Sequence, residues 1–97
     1  MTSWGCLIYI NNMDFIYDSA KSKSNLQKHG IDFEAAKGAW VDKEAVTVKA
    51  KTVDEDRFAI IAKIAGKIWI VFFTYRENKI RIISARRAQP KEARIYG

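Results

Sequence analysis

The sequence predicts a single α+β domain, in which N-terminal helices pack on a four- to five-stranded, mainly antiparallel sheet and a short helix ends the chain. Three observations lead there. The 97 residues are 48% hydrophobic, enough for one packed core near the common domain size. Capped helical patterns come first, followed by strand patterns, with one short helical pattern last. No internal repeat, low-complexity tract or Gly/Ser/Pro-rich linker divides the chain.

Residues 1–12 are expected to be an N-terminal extension or an added edge strand, ahead of a domain spanning 13–97. Cys6 to Ile10 is apolar, but residues 1–12 contain no Lys or Arg and no A-x-A cleavage pattern, so a signal peptide is not expected. No apolar run approaches the roughly 20 residues that cross a bilayer. The lone Cys6 cannot form an internal disulfide or build a zinc site. It is read as a small hydrophobe, and the chain as cytoplasmic.

Phe15 and Tyr17, two residues apart and flanked by Asp14 and Asp18, give a short strand signal. Asp18 can cap a helix running to about His29, with Gly30 as its C′ residue. That helix is unusually polar, with Ala20 and Leu26 as its apolar residues. Lys21, Asn25, Lys28 and His29 follow the i, i+4, i+7, i+8 spacing of one helix face. This face is expected to be wet and open to a ligand. Asp32 caps a second helix over about Phe33 to Val41, with Phe33, Ala36 and Trp40 as its apolar stripe and Ile31 placed to staple against Ala36.

Ala45–Lys51 alternates as a strand with one wet face. Arg57–Ala65 and Lys67–Tyr75 flank Gly66 as a hairpin. The run KIWIVFFTY is apolar on both faces and should be a central strand. Glu77–Asn78 turns into a last strand, Lys79–Ala85, and Pro90 fits the first turn of a helix over Pro90–Tyr96.

The net charge of +6 is uneven. Residues 76–97 hold seven basic residues (Arg76, Lys79, Arg81, Arg86, Arg87, Lys91 and Arg94) against Glu77 and Glu92. Such asymmetry points to a polyanionic partner or to a solvated basic face.

Cleavage of RNA without a metal needs a base for the 2′-OH, cations for the charge growing on phosphorus, and an acid for the leaving oxygen. The segment RIISARRAQPKEARIY, Arg81 to Tyr96, is the densest supply. Arginine suits phosphate because its planar fork donates two hydrogen bonds and stays charged. Glu92, three residues past Gln89, could orient an Arg or act as a base, or belong to a cap and ion-pair network. His29, the single histidine, is either a helix C-terminal residue that suits the macrodipole or an acid–base group beside Lys21 and Asn25. Asp54, Glu55 and Asp56 are read as a solvated turn rather than a cation site. Trp69, Phe72, Phe73 and Tyr75 could stack bases, but most are expected in the core. No metal and no cofactor are expected.

FIYDSAKSKSNLQKHGIDFEAAKGAW (15–40), DEDRF (54–58), FFTYR (72–76) and IRIISARRAQPKEARIY (80–96) together resemble the BrnT family of bacterial type II toxins. The resemblance implies a RelE-like fold, ribonuclease activity that arrests growth, and neutralisation by a cognate BrnA-like antitoxin. Operator DNA would be bound only through the toxin–antitoxin complex. The family's recurring polar positions fall on Lys21, Asn25, Lys28, His29, Arg57, Thr74, Arg81, Ser84, Arg86, Arg87, Glu92 and Tyr96. Arg86 and Arg87 are expected to hold the scissile phosphate, Lys21 or His29 to handle a proton, and Glu92 or Tyr96 to assist. Asn25, Lys28, Arg57, Thr74, Arg76, Arg81 and Ser84 are expected along the RNA. Gln89 stands where the family often has Thr, which weakens the start of the last helix.

The competing reading is a non-catalytic basic module that binds RNA or only an antitoxin. DNA binding by the chain alone is weaker, because the two helices flanking Gly30–Ile31 lack a helix-turn-helix pattern.

Overall fold

The computed structural model describes residues 14–50 and 57–96. The expectations for residues 1–12, Cys6 and the Asp54–Asp56 run lie outside the described residues. In chain order the elements are β1 (Phe15–Ile16), α1 (Ser19–His29), α2 (Phe33–Ala36) continued by a 3₁₀ turn (Lys37–Trp40), β2 (Val46–Ala50), β3 (Arg57–Ile64), β4 (Lys67–Arg76), β5 (Lys79–Arg87) and α3 (Pro90–Tyr96). The sheet order is β1-β5-β4-β3-β2. β2 to β5 are antiparallel neighbours, whereas β1 runs parallel to β5 through Phe15–Ile80 and Ile16–Arg81. The sheet is therefore mixed, and the short Phe15 strand supplies its fifth member.

β4 is central, as its two-sided hydrophobicity requires. Trp69, Val71 and Phe73 belong to a core under α2 with Ile31, Phe33, Ala36 and Ala39. On the opposite face Ile70 packs with Ala59 and Ile61, with Ile68, Phe72 and Tyr96 of α3 against them. Phe73 is 1% exposed, whereas Tyr75 at the strand end is 57% exposed. The hairpin turns Ala65–Gly66 and Glu77–Asn78 all have positive φ, the backbone that matches the twist of two-residue hairpins.

The helix expected over Phe33–Val41 is α-helical only to Ala36 and then tightens to 3₁₀. The tighter winding brings i and i+3 into line, so Ala36 and Ala39 are both fully buried, and Trp40 meets Phe73 edge-on at 5.0 Å. The Asp32 cap holds, with Oδ1 accepting from Ala35 N at 2.8 Å. Asp18 caps α1 by accepting from Ala20 N at 2.8 Å, and Gly30 ends the helix at φ 81°.

One residue of the α1 face expected to be wet is a correction: Lys21, Lys28 and His29 are exposed, but Asn25 is buried. Asn25 on that face is 7% exposed and Ser22 8%, while Leu26 is 48% exposed. The helix docks through polar side chains because they reach backbone groups that need partners. Ser22 Oγ accepts from Phe33 N at 2.9 Å, and the Asn25 amide donates to Ile31 O and Ala85 O, both at 2.8 Å.

Candidate active site

A groove runs between α1 and the α3-bearing face of the sheet. Its deeper part, a cavity of about 110 Å³, is lined by Asp18, Lys21, Arg57, Thr74, Arg81, Ile82 and Ile83. The adjoining part, about 240 Å³, adds Ser24, Asn25, Lys28, His29, Phe33 and Ser84 and shares Lys21 and Ile83 with the first. Tyr17 and Ile16 extend the opposite end beside Asp18 and Arg81.

Strand alternation explains the convergence. Phe58, Phe73, Ile80 and Ile82 turn into the α2 core, so Arg57, Thr74 and Arg81 project from the other face on three adjacent strands. The pairing of β4 with β5 slips by one residue between Phe72 and Phe73, where Phe72 faces Ser84 and Phe73 faces Ile82. Ile83 is the extra residue of this bulge, and bulges re-aim neighbouring side chains. Here the slip puts Ser84 and Arg86 on the same face as Arg81.

Three cations from α1, β3 and β5 thus line the deeper cavity, and among the described residues Asp18 is the one acid in its lining. Crowded cations raise the local potential for an anion. Lys21 stands at the junction of the two parts. Lys28 and His29 lie two turns along the same helix face.

Arg86 and Arg87 do not converge, which corrects the expectation that they grip one phosphate together. Consecutive strand residues point to opposite faces. Arg86 pairs in register with Ile70 of the α3 face, and Arg87 with Trp69 of the α2 face. The Arg86 fork donates to both Glu92 oxygens, at 2.9 and 2.8 Å. It also lies over the Phe72 ring at 5.5 Å. Glu92 Oε1 accepts from Gln89 N at 2.7 Å, the back-reaching half of a capping box, so the start of α3 is closed without a Thr at position 89. The hydrogen bond to Glu92 raises the Arg86 pKa, and the same bond holds the Glu92 carboxyl below its ordinary value.

Tyr96 is engaged elsewhere. Its hydroxyl donates to Asp42 Oδ2 at 2.7 Å, and the pKa of the phenol is pushed up to about 12 by that bond. Asp42 also accepts from Lys63 N at 2.8 Å and Glu44 N at 3.0 Å, and these bonds, that from Lys63 first, lower its own pKa. Arg76 is exposed where β4 meets its hairpin turn, outside the lining of the groove.

Of the thirteen site residues expected from sequence, the groove gathers Lys21, Asn25, Lys28, His29, Arg57, Thr74, Arg81 and Ser84. It leaves Arg76, Arg86, Arg87, Glu92 and Tyr96 outside its lining. Sequence reasoning missed Asp18, Ser24 and Ile83 as lining residues and Asp42 as the anchor of Tyr96. Asp18 had a cap signal, but nothing in the sequence marks the bulge at Ile83.

Among the described residues no helix is long and apolar enough to cross a membrane. No curated protein matches the chain. The family model described as "Ribonuclease toxin, BrnT, of type II toxin-antitoxin system" matches residues 17–92, a span that contains every described residue lining the two parts of the groove. The chain therefore belongs to the BrnT family of ribonuclease toxins of type II toxin–antitoxin systems.

Proposed function

We propose that the protein is a metal-independent endoribonuclease, with the scissile phosphate seated among Lys21, Arg57 and Arg81. The observation that carries this reading is the convergence of those cations from three elements on one cavity. Arg81 and Arg57 bind the non-bridging oxygens and stabilise the charge that grows on them, where preorganised donors have their largest effect. His29 accepts the proton of the 2′-OH. The 2′ oxygen bonds to phosphorus as the bond to the 5′ oxygen breaks, and Lys21 protonates that leaving oxygen. The products are a 2′,3′-cyclic phosphate and a 5′-OH end. Lys21 and His29 are eight residues apart, roughly 12 Å along the helix, so their side chains approach one phosphodiester from two sides.

Thr74 and Ser84 offer hydroxyls to sugar or phosphate oxygens, and Lys28 continues the backbone path. Glu92 holds Arg86 on the same sheet face, and the pair fastens α3 beside the groove. Tyr96 assists by fastening α3.

Membership of a type II toxin family implies a cognate antitoxin. In our reading this partner is BrnA-like, cleavage arrests growth in the cytoplasm, and operator DNA is bound only through the complex.

The test is cleavage of a defined single-stranded RNA by the purified chain, freed of antitoxin, in EDTA. Fragments ending in 2′,3′-cyclic phosphate support the mechanism. Bound but uncleaved RNA would replace it with the non-catalytic binding module.

A further inference from the structure

We propose that Asn25 is a positioning residue whose buried amide fixes the distance between α1 and β5, and so sets the width of the groove. This inference rests on the reading of that groove as the ribonuclease site. Both Nδ2 hydrogens are used, on Ile31 O and Ala85 O, and Oδ1 accepts from Ala85 N at 3.3 Å. The pair of bonds to Ala85 is what a neighbouring strand would provide, so the side chain stands in for a peptide group along the edge of β5.

The edge of β5 shows why this matters. β1 pairs with Ile80 and Arg81. Beyond Arg81 come the bulged Ile83 and Ser84, which face the groove. Asn25 resumes the edge contact at Ala85. The groove occupies the gap between these two attachments.

The position of α1 depends on directional bonds, because its buried residues are Ser22 and Asn25. Lys21 and His29 stand one turn on either side of Asn25, each four residues away. A shift of α1 relative to β5 moves both of them away from Arg81 together. Ser22 anchors the same helix to Phe33 N rather than to β5, which makes Ser22→Ala a control for general loosening.

The experiment compares Asn25→Asp, Asn25→Ala and Ser22→Ala in single-turnover RNA cleavage, with RNA affinity and thermal stability measured alongside. Misplacing reacting groups by about 1 Å can cost on the order of 10²-fold in rate. The expected result is therefore a loss of about 10- to 100-fold in rate for folded Asn25 variants at saturating RNA, larger than their loss of RNA affinity. Ser22→Ala should lose stability and keep its rate within about threefold. Asn25→Asp keeps the shape and loses both donors. Acid returns one donor to it, so its deficit against the parent should narrow as pH falls towards the carboxyl range.

If Asn25→Ala fails to fold, the rate and pH profile of Asn25→Asp decide. A folded Asn25→Asp that cleaves like the parent, or a Ser22→Ala whose rate falls as far, overturns the inference. Lys21→Ala and Arg81→Ala separate the two levels. Full activity in both removes the ribonuclease site and this inference with it. Loss in both beside normal Asn25 variants removes this inference alone.

Discussion

Arg86 and Arg87, adjacent in β5, hold their guanidiniums on opposite faces of the sheet: Arg86 lies 5.5 Å from the Phe72 ring centre and Arg87 5.6 Å from that of Trp69. One phosphate cannot reach both. The pair divides the labour of the basic C-terminal segment, with Arg86 tying α3 to the sheet and Arg87 covering the α2 core. In the proposed reaction the phosphate is therefore assigned to Arg81 and Arg57.

Arg86→Ala should act mainly on stability. The change strands Glu92, whose side chain is 15% exposed, and the loss of a charged, partly buried partner costs about 1–3 kcal/mol. In a domain of this size that lowers Tm by roughly 4–8 °C per kcal/mol. Arg81→Ala should leave stability within about 0.5 kcal/mol and lower the cleavage rate by on the order of 10²- to 10³-fold. Calorimetry and single-turnover cleavage on both variants check this. A folded Arg86→Ala protein slower than Arg81→Ala would return Arg86 to the phosphate.

Glu92→Gln tests the same pair through pH. The folded carboxyl titrates below its ordinary value because Arg86 donates to it. A depressed pKa stabilises the fold above the unfolded value of about 4.3 and loses that contribution as pH falls through the folded value. The parent should therefore exceed Glu92→Gln by about 1–2 kcal/mol at pH 7, with the gap constant to about pH 5 and closing below it. Urea unfolding at pH 7, 5 and 3.5 measures the gap, and a difference that grows in acid would contradict the assignment.

Much of this architecture was legible in local chemistry. Asp18 and Asp32 are side-chain acceptors ahead of helices, Gly30 takes a left-handed φ, and the two-sided apolar run of β4 has a place only at the centre of a sheet. The site was legible as residue types along the chain, and the spacing of Lys21, Lys28 and His29 put them on one helix face. Tertiary geometry decided the rest. Asn25 looks solvent-facing by polarity, yet its amide is used inside, because the β5 edge beside the bulge leaves Ala85 N–H and C=O in need of partners. Arg86 and Arg87 look equivalent until strand alternation separates them. The bulge at Ile83 has no composition signal, yet it decides which side of the sheet Ser84 and Arg86 occupy.

Lys28→Ala and Arg87→Ala should differ in salt dependence. Each phosphate contact to a single strand contributes about 0.7 to the slope of log affinity against log salt concentration. Lys28 lines the groove, so its removal should lower the slope by about 0.7 and weaken binding across RNA sequences alike. Arg87, on the far face, should leave the slope unchanged. Fluorescence titrations at four salt concentrations are sufficient, and a slope change confined to Arg87→Ala would place the RNA on the α2 face.

Tyr96 should be the last tyrosine to ionise. Its proton is shared with Asp42, and ionisation would place two anions within hydrogen-bond distance, which is why the phenol is pushed up to about 12. The raised value means the bond stabilises the fold fully below the unfolded tyrosine pKa of about 10 and loses that contribution as pH rises towards the folded value. Phenolate absorbance followed from pH 8 to 13 should show a late step that Tyr96→Phe removes. Asp42→Asn should move the step towards the ordinary tyrosine value, since a neutral amide still accepts a hydrogen bond but no longer opposes the phenolate. The consequence for catalysis is direct: a phenol held protonated to about pH 12 cannot be the base at neutral pH, so Tyr96→Phe should cleave RNA at the parent rate wherever it stays folded. A Tyr96→Phe protein that is folded and inactive would show that the hydroxyl meets the substrate, and that Asp42 releases it when RNA binds.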